Sequence, residues 1–250
     1  MSAIVELHGP TQEPASGGPA KQLVIFCHGL GSDGNDLIGL APYFARVLPD
    51  AKFVSPNAPE QFDMAPFGYQ WFSLSNPNSD RLPGVQAAAP ILNNYIDQQL
   101  EVHGLSESDT ALVGFSQGTM MALHVGLRRE RQLAGIAGYS GRLVGPDLLQ
   151  TEMKTKPPVM LVHGEADEVV PASSLKDAVS ALAGVGIDAM WEMRTDLGHG
   201  LDDRGITMGM DFLATFIPAR HFRHHHWALG CAGGRTLVAA QPDRCPSGPA

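Results

Sequence analysis

The feature that most constrains this chain is an alternation of apolar runs of strand length with segments of helical period, sustained from residue 22 to 217. Gln22 to His28 (QLVIFCH), Thr110 to Phe115 (TALVGF), Leu133 to Tyr139 (LAGIAGY) and Pro158 to His163 (PVMLVH) are nearly continuous apolar stretches. A strand with no polar alternation is covered on both faces, as in a parallel sheet. Ala51 to Ser55 and Ile187 to Met193 read as further strands. Between the strands lie helical segments: Asp36 to Val47, with Leu37, Leu40, Phe44 and Val47 on one face, Val85 to Val102, Gln117 to Arg129, Ala172 to Ala183 and Asp202 to Ile217. The pattern predicts an α/β fold, a mostly parallel twisted sheet with right-handed crossovers and helices on both faces. In such sheets ligands bind beyond the carboxyl ends of the strands, so function is expected in the loops that follow them.

Length and composition narrow the classes. The 250 residues suit one large domain, and 44% hydrophobic against 17% charged residues can build a core for it. Lys and Arg number 17 against 26 Asp and Glu, a net charge of -9 that has the wrong sign for a nucleic-acid binder. No apolar stretch approaches 18 residues and the start, MSAIVELHGP, has no basic leader, so neither stable membrane insertion nor export is expected. Cys27, Cys231 and Cys245 are an odd number without framework or paired-ligand spacing, which favours a reducing cytoplasm. Residues 1–21 read as an edge strand and flexible link, 22–218 as the α/β domain, and 219–250 as a poorly ordered basic tail. That tail holds four of the ten histidines, and His221, His224, His225, His226 and Cys231 have metal-binding chemistry. A solvated basic tail is the preferred reading, and no metal is assigned.

The sharpest local signal is Gly114-Phe115-Ser116-Gln117-Gly118, a G-x-S-x-G lying where an apolar strand ends and a helix begins. A serine hydroxyl is a weak nucleophile near neutral pH and needs a base, which in turn needs an orienting acid. Six histidines lie outside the tail. His8, His103 and His124 do not follow core strands, His163 ends one, and His199 lies in Leu197-Gly198-His199-Gly200 between the last strand and the last helix. His199 is the expected base. Asp167, in HGEADEVVP after the strand ending at His163, completes the chain order Ser, acid, His. Glu165 and Glu168 compete with it, whereas Asp196, Asp202 and Asp203 read as helix-flanking charges.

Acyl transfer also requires amide donors for an oxyanion. His28-Gly29-Leu30-Gly31-Ser32-Asp33-Gly34 follows the first core strand, and the expected donors are the amides of Leu30 and Gln117. His28 reads as a brace for this loop, and the loop lacks the lysine of a phosphate-binding motif. Residues 57–82 have no period and many aromatics. Phe62, Phe67, Tyr69, Trp71 and Phe72 form either an apolar acyl-binding wall or a satellite core pinning the loop, and the two are compatible.

Taken together, HGLGSDG from residue 28, SPNAP at 55–59, GYQWF at 68–72, GFSQG at 114–118, HGEADEVVP at 163–171 and LGHG at 197–200 resemble the phospholipase/carboxylesterase family of α/β-hydrolases. That group includes acyl-protein thioesterases and lysophospholipases. The resemblance covers residues 20–217 and leaves the tail without a counterpart. It implies an α/β-hydrolase sheet without a large cap domain, a serine esterase mechanism needing no cofactor, and small acyl ester or thioester substrates. It further implies that Trp71 and Phe72 line the acyl site and that Gln117 serves the oxyanion hole. A carboxylesterase of small esters is the first expectation, a lysophospholipase or acyl-protein thioesterase the next, and a non-catalytic binding module on the same scaffold the alternative of another class. A homodimer stays open.

Overall fold

The structure, a computed structural model, describes residues 5–75 and 80–217. The chain runs β1 (Thr11–Gln12), β2 (Gln22–Cys27), α1 (Gly34–Ile38), α2 (Ala41–Phe44), β3 (Ala51–Val54), β4 (Glu60–Gln61) and β5 (Tyr69–Gln70). It continues through α3 (Leu82–His103), β6 (Thr110–Phe115), α4 (Gln117–Gly126), β7 (Gly135–Tyr139), α5 (Leu149–Glu152), β8 (Val159–Gly164), α6 (Ser173–Gly184), β9 (Met190–Arg194) and α7 (Asp203–Phe216). Seven strands form one sheet in the order β1-β3-β2-β6-β7-β8-β9, parallel throughout except for β1 against β3. The parallel α/β architecture is therefore as expected. Among the described residues no cap domain is inserted between the strands, and no helix is long and apolar enough to cross a membrane.

Each central strand feeds two cores, because successive side chains point to opposite faces. Leu23, Ile25 and Cys27 of β2 join Leu112 and Leu161 beneath α3, α4 and α6. Val24 and Phe26 join Val113, Met160 and Val162 on the other side, beneath α1, α2 and α7. Every residue of β2, β7 and β8 is buried, which explains why their sequences show no polar alternation.

The structure departs from the expected elements in three places. The single helix expected over 36–47 is two short ones, broken at Gly39 and Leu40 and restarted with Pro42 in the first turn of α2, where proline's missing N–H does no harm. The last strand begins at Met190 and not at Ile187, because Ile187 closes α6: its N–H donates to Leu182 O (2.9 Å) while Gly186 takes φ +81°. This is a Schellman ending, with Ile187 as its buried apolar residue. Finally, residues 57–82 contain the hairpin β4–β5, bridged to the oxyanion loop at Ser32 and Tyr69. The tail at 219–250, with its histidine cluster and Cys231, lies outside the described residues.

Candidate active site

Ser116 stands between β6 and α4 with φ +53° and ψ -116°. A non-glycine residue in this region costs about 1–3 kcal/mol, so the surroundings must impose it. They do so by close packing. A Cβ on Gly118 would stand 1.8 Å from the Cys27 carbonyl oxygen, and one on Gly114 would stand 2.6 Å from the Gly118 backbone. The glycines thus let the start of α4 press onto β2 and the loop after it. Ser116 N–H donates to Tyr139 O (2.9 Å), anchoring the turn to β7. Thr119 accepts from Tyr139 N–H (3.1 Å), and its hydroxyl sits 2.8 Å from Gly114 O, on the strand before the turn.

His199 Nε2 lies 3.0 Å from Ser116 Oγ, and its Nδ1 lies 2.8 Å from Asp167 Oδ2. A carboxylate can only accept, so Nδ1 carries the imidazole proton and Nε2 is left to receive the serine's. Asp167 Oδ1 accepts the N–H groups of Val169 (2.9 Å) and Val170 (2.8 Å). Burial works to raise the Asp167 carboxyl, but the hydrogen bonds from His199, Val170 and Val169 outweigh it and hold it below the usual aspartate value. The neighbouring acids do not compete: Glu165 and Glu168 are exposed, while the Asp167 side chain is fully buried. Asp202 caps α7 by accepting Gly205 N–H (2.8 Å). The loops carrying acid and base are tied together by Ala166 N–H donating to Leu197 O (2.9 Å), and the Phe115 ring packs 5.0 Å from the His199 ring.

His163 was visible in the sequence only as the end of a strand. In the structure it is buried, with Nε2 2.9 Å from Val170 O and 3.2 Å from Asp167 Oδ2. Since both partners are acceptors, Nε2 carries the proton. The carboxylate is thereby held from both sides. The signal that could have found it is the spacing His-x-x-x-Asp within HGEAD.

In the glycine-rich loop, His28 Nε2 accepts Ala58 N–H (2.9 Å) and Nδ1 donates to Gly29 O (2.7 Å). Burial pushes its pKa below the usual histidine value, so it is a neutral brace. Gln117 supplies more than an amide. Its Oε1 accepts Trp71 N–H (2.8 Å) and its Nε2 donates to Phe72 O (2.8 Å), while the Trp71 indole donates to His28 O (3.0 Å). Trp71 and Phe72, expected to line the acyl site, are therefore pinned into the core at 1% and 4% exposure. Neither is among the residues that line the cleft around Ser116.

The cleft holds about 430 Å³, within the range of small-ligand sites, and opens onto Ser116, Gln117 and His199. Its apolar wall is Leu30, Leu74, Met120, Val169, Val170 and Pro171, with Arg81 and Arg142 completing it. These residues come from loops or helix starts that follow different strands, so no single periodicity marks them in the sequence. Leu30 and Gln117, the expected oxyanion donors, line the same cleft as Ser116, and Gln117, first in α4, has an N–H without an intrahelical acceptor. Among the described residues no cluster of three His, Cys, Asp or Glu side chains is arranged to hold a metal ion.

A family model described as phospholipase/carboxylesterase matches residues 12–217. The chain belongs to this family. Among relatives of this phospholipase/carboxylesterase chain, esterase YpfH of Escherichia coli (strain K12) is 32% identical over 206 residues, 82% of this chain and 87% of its own. An acyl-protein thioesterase 1 of Gibberella zeae is 28% identical over 216 residues, covering 79% of this chain and 92% of its own. The crystal structure of esterase PE8 superposes with a TM-score of 0.82 at 41% identity, covering 85% of this chain and all of that one. The fold is thus the α/β-hydrolase fold, and the chain is an enzyme of its class, a serine hydrolase of ester bonds.

Proposed function

We propose that this family member is a serine carboxylesterase of small carboxylic acyl esters, working through an acyl-enzyme on Ser116. The observation that carries the reading is the unbroken hydrogen-bonded chain from Ser116 Oγ through His199 to the buried Asp167. Ser116 Oγ attacks the acyl carbonyl carbon as His199 Nε2 takes its proton, and Asp167 stabilises the imidazolium that forms. The amides of Leu30 and Gln117 stabilise the oxyanion, at a contribution of about 3 kcal/mol per donor. Collapse of the intermediate expels the alcohol with the proton from His199. Water, activated by the same imidazole, then releases the carboxylic acid and restores the hydroxyl. The alternative leaving group, a thiol, is favoured by the relatives named acyl-protein thioesterase and follows the same steps. The buried, unpaired Cys27 thiol suits a cytoplasmic location.

Hydrolysis of p-nitrophenyl esters from acetate to palmitate, with Ser116→Ala as control, tests this reading. Each methylene that finds apolar wall adds about 0.8 kcal/mol, and the short wall supports a rate that peaks at short to medium chains and then falls. Rates rising to palmitate would favour the lysophospholipase or acyl-protein thioesterase reading. Failure of the wild type to label with a serine-reactive phosphonate would favour a binding module.

A further inference from the structure

The catalytic cleft of this acidic protein holds two arginines and no carboxylate side chain among its lining residues. Elsewhere the described arginines are accounted for. Arg128, Arg129, Arg131, Arg194 and Arg204 each have a carboxylate within 4 Å, and Arg46 lies over the Tyr43 ring. Arg142, on the loop after β7, has the Ser174 hydroxyl, at 3.3 Å, as its hydrogen-bonding partner among the described residues. Arg81, at the start of α3, has no hydrogen-bonding or ionic partner among the described residues. Both guanidinium-bearing residues line the one cleft. Burial and then the Arg81 charge lower the Arg142 pKa, with the Asp177 charge opposing them. Two like charges facing a half-buried cleft are unfavourable unless something anionic enters between them, and planar guanidinium forks match carboxylate and phosphate oxygens.

We propose that Arg81 and Arg142 form an anion subsite in the cleft, so that the ester this enzyme takes carries a carboxylate or phosphate group away from the scissile bond. The proposal rests on the reading of Ser116 and His199 given above. The apolar wall then holds the short linker between the reacting carbonyl and the anion, while the overall negative charge of the protein selects against anions that do not reach the arginines.

The test compares charged and neutral esters of similar size on the full chain. In one arm monomethyl glutarate is set against methyl pentanoate, and in the other 2-acetoxyethyl phosphate against 2-methoxyethyl acetate, with acid release followed at constant pH. The expected result is a kcat/KM ratio of about tenfold or more for the charged ester in at least one arm, which also identifies the anion. Raising the salt concentration should shrink that ratio in the wild type, and Arg81→Gln with Arg142→Gln should cut it by about tenfold. A ratio at or below one in both arms, or a preference that the double variant and salt leave unchanged, overturns the proposal. Should no ester be turned over in a Ser116-dependent way, the catalytic reading fails separately. Calorimetric binding of glutarate and inorganic phosphate to Ser116→Ala then decides the subsite: heat abolished by the two Arg→Gln changes supports it, and no heat overturns it.

Discussion

Asp167 accepts a hydrogen bond on one carboxylate oxygen from His199 Nδ1, has the His163 ring nitrogen 3.2 Å from that same oxygen, and accepts two backbone N–H groups on the other. So many donors keep the carboxylate ionised and leave it one orientation, which in turn leaves His199 one tautomer. Asp167→Asn presents an amide where only acceptors fit, and kcat is expected to fall by about 10³–10⁴-fold with the folded state retained. Steady-state kinetics with circular dichroism checks this; a loss below tenfold would mean that another group orients the base. Ser116, Asp167 and His199 were legible in the sequence because the chemistry demands particular residue types in a particular chain order. The burial of Trp71 and Phe72 was not legible for an equally physical reason. An aromatic pair in a long loop has the same composition whether it walls a cleft or fills a core, and the deciding bonds come from Gln117, 46 and 45 residues away.

Between β6 and α4 the turn works only if the helix start can touch β2, and this makes two glycine substitutions opposite in effect. Gly118→Ala puts a methyl group into the Cys27 carbonyl and is expected to cost more than about 4 kcal/mol. Gly184→Ala, near the end of α6, meets nothing within 4 Å and is expected to stabilise by about 0.5–1 kcal/mol. Urea unfolding of the two variants measures both, and equal midpoints would contradict the packing account. The central strands were readable at this scale because continuous apolar runs have few other solutions. The break between α1 and α2 was not, since Leu37, Leu40, Phe44 and Val47 keep helical spacing across it. Nor was the hairpin β4–β5, whose two-residue strands are too short to show a period and depend on pairing with each other and with Ser32.

Over the whole molecule, the parallel sheet gathers the loops after β2, β6, β7, β8 and β9 at one edge, and the alternation of strand and helix announced that arrangement. The same burial that builds the two cores keeps histidines neutral. Burial, with Arg128 nearby, pushes His124 down to about 4, and burial lowers His28 and His103 as well. A folded-state pKa below the unfolded one means that the unfolded chain takes up protons first as pH falls. The stability tied to His124 is therefore complete above about pH 6.5 and lost progressively toward pH 4, above the range in which Asp167 titrates. His124→Leu is expected to flatten the fall in urea midpoint across that window, and an unchanged slope would mean that other groups drive it. The acyl-enzyme on Ser116 is open to direct observation by intact-mass spectrometry of the protein quenched during turnover of a p-nitrophenyl ester. The expected result is one added acyl group, mapped by peptide sequencing to Ser116 and missing from Ser116→Ala; turnover with the adduct on another residue, or an undiminished adduct in Ser116→Ala, would contradict it.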